Sequence, residues 1–492
     1  MLPIVLPVDT GDLTALGPLL AVLIAALGVL TVDMTFEREE ARGRWSFIVG
    51  LVGAGLAAGC ASLWQWEAPG RAILGGALYA DAFSSFFDVL LATLLGLTLV
   101  VSWYCLDRVK VKPAEFTGLA VLSFSGMFLM VRAADMLTLF LAIELMSLPV
   151  YVLAGLSAGS KTGREAALKY FVLGSLASAI LLYGMALVYG VTASLGYTDI
   201  AGYLATASRE SGVENPLFLA GLALMLVGLG FKVAAAPFHM WTPDVYEGAP
   251  TPVTTLMASG VRAAAAAALL RFLAGAVLLT RGHWMMLVWA LAALSMIAGN
   301  VGALAQTNVK RLLAYSGIAH AGYMLLGLFA LPRGAGGFSM YVAVYALSVL
   351  GAFGALQWFD DRGRETVDIE DLAGAGKRHP WMASVMTVFL LSLAGIPPTA
   401  GFAAKWFVFA AAVQAGYVGL ALLGVMTSLF GAYYYLRVVI AMWMDEPADI
   451  SGADQSPTTG LVLGLLALAV LFIGCFPGWL WFLADLASSK LV

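Results

Sequence analysis

Long apolar runs without charge alternate along the chain with short segments that carry charged or turn-forming residues. Each run has about 20 residues, which is enough for a helix to cross the hydrocarbon core of a bilayer. The runs also lack the period-two alternation over about ten residues that is typical of membrane β-barrel strands. We therefore predict an all-α, polytopic membrane protein of about 14 transmembrane helices. Their approximate ranges are 13–33, 45–64, 82–105, 115–131, 136–157, 166–192, 216–238, 252–279, 284–305, 311–331, 338–359, 381–412, 415–443 and 460–486.

Two of these helices contain both a lysine and a proline. Lys232 precedes Pro237 in the seventh helix, and Pro397 and Pro398 precede Lys405 in the twelfth. Proline frees backbone carbonyls that then need another partner, so we expect both helices to be broken and to border polar cavities. Because the two helices run in opposite directions in the predicted topology, the pattern indicates two inverted five-helix repeats.

The predicted organisation has four parts. They are residues 1–114 with helices 1–3, residues 115–280 with the first repeat (helices 4–8), residues 281–445 with the second, inverted repeat (helices 9–13), and residues 446–492 with helix 14.

Composition supports the membrane assignment. The chain is 61% hydrophobic and 11% charged, and its formal net charge of -4 is too small to indicate a nucleic-acid partner. The three cysteines lie far apart and predict neither a disulfide framework nor a metal site. Residues 1–13 contain no lysine or arginine, so the first helix is expected to remain in the mature protein.

The distribution of basic residues predicts the orientation. Sixteen lysines and arginines lie in or beside the loops that follow odd-numbered helices, against six on the other side. The six are Arg71, Arg132, Arg209, Arg281, Arg333 and Lys490. The positive-inside rule therefore predicts that both termini face away from the cytoplasm and that the long linker 360–380 is cytoplasmic.

Five charged residues remain inside the predicted helices: Glu144, Lys232, Arg262, Arg271 and Lys405. A lone charge at the centre of a membrane helix costs roughly 2.5 to 3.5 kcal/mol, so such residues indicate function or pairing. We interpret Glu144 and Lys232 as a functional pair. Arg271 lies near a helix end, where a structural role at the interface is the simpler interpretation.

His320 is a further candidate for proton transfer because its side chain titrates near neutrality. It lies inside the tenth predicted helix, where a hydrogen-bonded packing role remains open.

Four segments resemble a known family. They are FLAIELMSLPVYVLAGL around Glu144, GLGFKVAAAPFHMWTPDVYEGAPTPVTTLMAS around Lys232, QTNVKRLLAYSGIAHAGYMLLG around Lys310 and GIPPTAGFAAKWFVF around Lys405. These segments are similar to the antiporter-like subunits of complex I, the proton-pumping NADH:quinone oxidoreductase. The form ELMSLPVYVLAG and the absence of a long carboxy-terminal lateral helix resemble its N subunit, and the similarity covers nearly the whole chain.

The resemblance implies roles for matching residues. Glu144 and Lys232 would form the acid and amine pair, and Lys405 would lie at the exit of the second half-channel. His320 and Lys310 would lie near the connecting polar axis. Arg262 occupies the place where the family usually has a lysine. Because a guanidinium does not release its proton, we expect Arg262 to act as a fixed charge.

The function implied is that of a proton-translocating membrane subunit of a respiratory NADH:quinone oxidoreductase, a translocase, in the bacterial inner membrane. The resemblance implies no cofactor and no metal in this chain, with NADH, FMN, iron–sulfur clusters and quinone bound by partner subunits. Expected partners are neighbouring antiporter-like and small membrane subunits, the peripheral arm indirectly, and lipids.

Three alternatives share these features. The chain could belong to a multisubunit cation/proton antiporter, to a membrane-bound hydrogenase, or to a structural membrane scaffold whose charges only hold helices in register.

Overall fold

The computed structural model describes residues 10–63, 70–157, 159–210, 215–360, 365–446, 456–489 and 491, nearly all of them in helices. The amino-terminal part contains α1 (Thr10–Ala15), α2 (Gly17–Thr35), α3 (Glu39–Leu63) and α4 (Ala82–Ser102), with a hairpin of β1 (Arg71–Ile73) and β2 (Leu78–Ala80) before α4. The next part contains α5 (Pro113–Arg132), α6 (Met136–Ala154), α7 (Lys161–Thr192), α8 (Tyr197–Glu210), α9 (Pro216–Lys232), α10 (Trp241–Gly248), α11 (Thr251–Leu256) and α12 (Arg262–Gly275). The remainder contains α13 (Arg281–Leu304), α14 (Val309–Leu325), α15 (Ala335–Trp358), α16 (Ala375–Arg378), α17 (Pro380–Ala394), α18 (Ala400–Gln414), α19 (Val418–Met444), α20 (Pro457–Cys475) and α21 (Pro477–Ser488).

The predicted membrane helices are confirmed. Within the described residues, twelve helical segments are long and apolar enough to cross a membrane, and α11 and α12 form one of them, joined by a π-helical turn at Met257–Val261. The two broken segments, α9 with α10 and α17 with α18, account for the seventh and twelfth predicted helices.

Several boundaries differ from the prediction. The seventh helix ends at Lys232 rather than near 238, the twelfth is interrupted between Ala394 and Ala400, and the last is divided at Phe476. Proline explains each break, because Pro237, Pro397 and Pro477 cannot donate the backbone hydrogen bond that an uninterrupted helix needs. The hairpin and α8 connect membrane helices and were not predicted from the apolar pattern.

Three helices form the centre of the bundle: the α11–α12 segment, α14 and α15, whose side chains are almost all buried. The outer helices expose large apolar side chains, for example Leu27 on α2, Leu176 on α7 and Leu465 on α20. An apolar exterior around a buried polar interior is the arrangement expected of a protein whose surroundings are lipid or other membrane subunits.

The two ends of the bundle carry different segments. One end holds the described part of the linker 360–380 and the loops before α5, α7, α11 and α14, and we call it the linker end. Asp12 pairs with Arg71 at the opposite end, where Leu491 lines a cavity with Tyr79 and Arg271. Of the basic residues that predicted the orientation, Arg362, Arg364 and Lys490 lie outside the described residues, as do residues 1–9.

Two buried ion pairs hold α4 to its neighbours. Arg271 of α12 binds both carboxylate oxygens of Asp81, at 2.7 and 2.9 Å, and donates to the Val131 carbonyl, so it is buried in an ion pair and does not extend to the interface. Asp88 of α4 pairs with Arg132 at the end of α5. The sequence reasoning was wrong here, because it counted Arg132 as a loop charge and overlooked Asp88 inside the apolar run.

Candidate functional site

Glu144 lies near the middle of α6, partly buried against α7. Its Oε1 accepts a hydrogen bond of 2.5 Å from the Ser178 hydroxyl of α7. Ser147, three residues later, lies on the same side of α6 because residues three apart are neighbours on a helix surface. The carboxylate and the Ser147 hydroxyl are therefore adjacent polar groups on one helix.

Lys232 ends α9 and is buried, with 2% of its surface exposed. Its Nζ donates to the Ser147 hydroxyl at 2.8 Å and to the Tyr151 hydroxyl at 3.3 Å. Glu144 lies within electrostatic range of this ammonium group, but among the described ion pairs there is none between the two. Ser147 is thus bonded to the amine and lies three residues from the acid of the pair that the sequence analysis proposed.

The break after Lys232 exposes backbone groups that find partners on other elements. Trp241 of α10 donates its indole N–H to the Phe231 carbonyl at 3.2 Å, and the Ala236 amide donates to the Ser295 hydroxyl at 2.8 Å. These contacts hold the end of α9, and with it Lys232, in a fixed position.

Arg262 follows the π-helical turn and is buried at the centre of the molecule. Its Nη1 donates to the Tyr345 hydroxyl at 2.8 Å, whereas its Nε and Nη2 have no acceptor in hydrogen-bonding geometry among the described residues. The guanidinium also lies 5.5 Å from the ring centre of Tyr246. A Cβ atom on Gly317 would come within 1.9 Å of Nη1, so alanine at 317 would force the guanidinium to shift.

His320 is surrounded by tyrosines. Its Nδ1 lies 2.8 Å from the Tyr341 hydroxyl and its Nε2 lies 3.3 Å from the Tyr435 hydroxyl. Its ring is 4.9 Å from that of Tyr345 and 5.7 Å from that of Tyr323. Both ring nitrogens therefore face groups that can donate or accept a proton.

Lys405 lies in the first turns of α18, beside the break of the twelfth helix. Its Nζ donates to the Ala394 carbonyl at 2.8 Å and to the Ser428 hydroxyl at 2.7 Å, and it lies 4.9 Å from the Tyr323 ring centre. Gly395 adopts a φ of +82°, and a Cβ there would be 2.7 Å from the Cδ of Lys405. The break thus supplies the lysine with a carbonyl acceptor and with space.

A continuous row of polar and aromatic side chains joins these residues, and we call it the central axis. It runs from Lys232 through Arg262 and His320 to Lys405. The ring contacts that connect them are Tyr151 with Tyr170, Tyr170 with Trp241, Trp241 with Tyr246, and His320 with Tyr345 and Tyr323. The structure therefore brings four of the six candidate residues into one row, with Glu144 beside its first member.

Lys310 lies elsewhere. It is fully buried at the linker end, where its Nζ donates to the Ala249 carbonyl at 2.7 Å and forms an ion pair of 3.3 Å with Glu365. Nine residues of α14 lie between it and His320, so the structure does not place the two residues in contact.

The tyrosines of the central axis were missed by the sequence analysis. Tyr341 and Tyr345 lie four residues apart within the apolar α15, so both face His320. A tyrosine pair at this spacing inside an apolar helix is a signal that could have been recognised, because a buried phenol needs a hydrogen-bond partner.

Comparison with known proteins identifies the family of this chain. Residues 133–431, which include most of the central axis, match the family model for the membrane domain of NADH:quinone oxidoreductase and Mrp antiporter subunits. The subunit N 1 of NADH-quinone oxidoreductase from Herpetosiphon aurantiacus is 40% identical over 97% of this chain and 96% of its own length. The subunit N from Trichlorobacter lovleyi is 41% identical over 94% of this chain and 93% of its own. The chain belongs to the subunit N family.

The fold agrees with a solved relative. A chain of respiratory complex I from Thermus thermophilus with bound aureothin matches with a TM-score of 0.81 and 36% identity, covering 95% of this chain and 99% of that chain. The membership in the subunit N family predicted from the sequence is thus confirmed.

Proposed function

We propose that this subunit translocates protons along the central axis while quinone is reduced elsewhere in an NADH:quinone oxidoreductase. The observation that carries the proposal is the row of ionisable and aromatic side chains from Lys232 to Lys405, in which each is in hydrogen-bond or ring contact with the next, enclosed in an apolar bundle. Because membrane helices rarely bury ionisable groups without a use, such a row indicates a path for charge.

The first transfer group is Lys232. Its ammonium has hydroxyl partners instead of a bonded carboxylate, so the charge of Glu144 is the main stabilising influence that a conformational change could alter. Moving Glu144 away, or bringing another charge near it, would favour release of the proton, whereas its approach would favour uptake. Ser147 is bonded to Lys232 and Ser178 is bonded to Glu144, so such a movement would change both hydrogen bonds.

Arg262 has a different role in this proposal. It keeps its charge permanently, so it does not carry the proton; in our proposal it is a fixed charge that orients the neighbouring Tyr246 and Tyr345 side chains. His320, bonded on both sides, would accept the proton and pass it through the tyrosines toward Lys405.

In our proposal, electron transfer takes place outside this chain. NADH, FMN, iron–sulfur clusters and quinone belong to partner subunits in our proposal, and the energy of their reactions reaches the central axis through neighbouring membrane subunits.

The orientation is also proposed. With the linker end in the cytoplasm and both termini on the opposite side, the sequence bias of lysine and arginine follows the positive-inside rule. The bacterial relatives support a location in the bacterial inner membrane.

The repeat boundaries at residues 115, 281 and 446 remain a proposal. Two close helix contacts support them. A Cβ on Gly126 of α5 would lie 2.3 Å from the Met146 amide of α6, and a Cβ on Gly299 of α13 would lie 2.3 Å from the Ala319 amide of α14. The two pairs have the same spacing along the chain, as equivalent helix pairs of two repeats would have.

The proposal is tested by NADH-driven proton pumping in inside-out membrane vesicles that contain Lys232→Ala or Glu144→Ala. Both variants should assemble and lose most pumping. If less complex assembles but each assembled complex pumps normally, the scaffold interpretation is favoured. Full pumping in both variants would exclude the proposal. Copurification with iron–sulfur subunits and quinone reductase activity separate this function from that of a cation/proton antiporter.

A further inference from the structure

The short helix α10 is separated from both α9 and α11 by non-helical residues. It has eight residues, Trp241–Gly248, and follows the break that begins after Lys232. A helix of this length is marginal by itself, so side-chain contacts decide where it lies. Its aromatic residues Trp241 and Tyr246 are buried, whereas the side chain of Asp244 lies at the outside of the bundle and is 37% exposed.

The buried side of α10 contacts the central axis at two places. Trp241 donates its indole N–H to the carbonyl of Phe231, the residue just before Lys232. Tyr246 places its ring 5.5 Å from the guanidinium of Arg262. A displacement of α10 would therefore disturb the surroundings of both cations.

On the outer side, the carboxylate of Asp244 is shared between two cations from different helices. Its Oδ2 accepts a hydrogen bond from Lys169 of α7 at 2.7 Å, and its Oδ1 accepts one from Arg311 of α14 at 2.9 Å. Arg311 also binds Glu247 of α10 at 2.8 Å. We call Lys169, Asp244 and Arg311 the outer ion triad, and it bonds α10 to α7 and α14 at the same time.

The attachment to α14 also fixes α10 relative to another part of the central axis. The helix α14 carries His320, nine residues after Arg311. Lys310, the neighbour of Arg311, donates to the carbonyl of Ala249 directly after α10, at 2.7 Å. Two adjacent cations of α14 thus hold α10 beside the helix that carries His320.

The exposure of the outer ion triad indicates that it contributes more to geometry than to stability. The side chain of Lys169 is 41% exposed and that of Arg311 is 29% exposed. Ion pairs at such exposure are screened by water and salt, so they contribute little to the free energy of unfolding. Two charge-assisted hydrogen bonds to one carboxylate still define its position. Removing the charge of Asp244 should therefore leave the protein folded while α10 loses its fixed place.

From these contacts we infer that Asp244 is a positioning residue for proton translocation. It holds α10 between α7 and α14, and α10 in turn keeps the Phe231 carbonyl beside Lys232 and the Tyr246 ring beside Arg262. Asp244 itself neither binds nor releases the transported proton. The inference rests on the proposed function and names a residue outside the central axis on which the geometry of that axis depends.

The test uses the assembled complex in proteoliposomes, with the amount of complex, NADH-driven proton pumping and quinone reduction measured together. Asp244→Asn keeps the size of the side chain and removes its charge. The complex should assemble, and pumping per complex should fall at least about tenfold, because small displacements of reacting groups have effects of this size. Asp244→Glu keeps the charge and should pump faster than Asp244→Asn. Full pumping in Asp244→Asn, or no advantage of Asp244→Glu over it, would overturn the inference.

Glu165 provides the matched control. This exposed acid pairs with the same Lys169 at 2.8 Å, but both residues lie on α7, so their pair does not hold α10. Glu165→Gln removes an equal charge from the same place and should leave pumping unchanged. An equal loss of pumping in Glu165→Gln and Asp244→Asn would show that only the local charge matters, and it would overturn the inference.

A double variant separates positioning through α10 from a general structural role. Trp241→Phe keeps an aromatic ring and removes the N–H that bonds the Phe231 carbonyl. If Asp244 acts through α10, Asp244→Asn should reduce pumping by a smaller factor in the Trp241→Phe background than in wild type. An equal factor in the two backgrounds would mean that the residues act independently, and it would overturn the inference.

A second pair of variants keeps the test valid if the Asp244 variants fail to assemble. Lys169→Gln removes one cation of the outer ion triad, and Lys161→Gln removes an exposed cation about two turns earlier on the same helix. Only Lys169→Gln should slow pumping, and equal pumping in the two would overturn the inference.

Lys232→Ala in the same preparation distinguishes the inference from the proposed function. If Lys232→Ala pumps fully, the proposed function itself fails. If Lys232→Ala loses pumping while Asp244→Asn pumps like wild type, the proposed function stands and the positioning role of Asp244 fails.

Discussion

At the scale of single residues, the central axis stabilises buried positive charge without direct carboxylate partners. Lys232 and Lys405 each have a hydroxyl acceptor and an aromatic face, and Arg262 has a phenol and two aromatic faces. Hydroxyls and rings bind an ammonium more weakly than an ionised carboxylate does. Weak stabilisation suits a group that must both take up and release a proton.

Gly317 and Arg262 provide a first prediction. Gly317→Ala places a methyl group where the guanidinium lies, so the arginine must leave its contact with Tyr345. We expect Gly317→Ala to reduce the rate of NADH-driven pumping at least about tenfold. This corresponds to about 1.4 kcal/mol of activation free energy. Arg262→Lys should restore part of it in the double variant, since lysine has no planar head group at this point. Equal pumping in Gly317→Ala and wild type would contradict the steric account.

Gly395 provides a second prediction, with Gly416 as a matched control. Both glycines have a positive φ, of +82° and +89°, so alanine should cost each about 1 kcal/mol of backbone strain. A Cβ at Gly395 also meets Lys405, whereas one at Gly416 meets nothing within 4 Å. Gly395→Ala should therefore impair pumping and Gly416→Ala should not, as measured in assembled complexes. Similar pumping in the two variants would show that Lys405 does not depend on this space.

At the scale of elements, each broken helix creates a place for a lysine. Lys232 ends α9 just before its break. Lys405 lies in the second turn of α18, just after the other break, and donates to the Ala394 carbonyl that the break leaves free. The sequence analysis correctly expected both breaks, because proline position is readable from the chain. Which backbone carbonyl each lysine would bind depends on the local path of the chain and could not be read.

The ion pair of Asp88 and Arg132 leads to a prediction about packing between α4 and α5. Removing one partner leaves a buried charge unpaired, which costs about 3 to 5 kcal/mol. Asp88→Leu alone should therefore prevent accumulation of the assembled complex, whereas Asp88→Leu with Arg132→Met should recover both assembly and pumping. The amount of complex on native gels provides the measurement. Recovered assembly without pumping would mean that the pair takes part in translocation.

The linker gives a prediction about pH. Burial and the nearby charge of Glu365 raise the pKa of Asp360 to about 7. The folded state then binds more protons than the unfolded state between about pH 4 and pH 7, so stability should fall as the pH rises through this window.

Asp360→Asn keeps an acceptor for the Thr366 amide and removes the titration. Thermal midpoints of the purified complex should therefore decline less between pH 5 and pH 7 in the variant than in wild type. Parallel curves would contradict the assignment.

At the scale of the whole molecule, the apolar pattern predicted the number of membrane helices and the quoted motifs predicted the family. Both signals are contained in short stretches of sequence, so they can be recognised without a structure. The sequence could not predict that Ser147 would bind Lys232, nor that Lys310 would bind a linker residue, because these contacts join distant segments. Asp88 was overlooked because one acid hardly changes the hydropathy of an apolar run.

The whole account depends on a single connected path from Lys232 to Lys405. His320 is the titratable residue midway along it, bonded on both ring nitrogens. The most direct measurement is NADH-driven proton pumping by assembled complexes that carry His320→Phe, which keeps a ring against Tyr345 but cannot transfer a proton. We predict that pumping falls to the level of Lys405→Ala and that combining both changes reduces it no further. Wild-type pumping by His320→Phe would contradict the path.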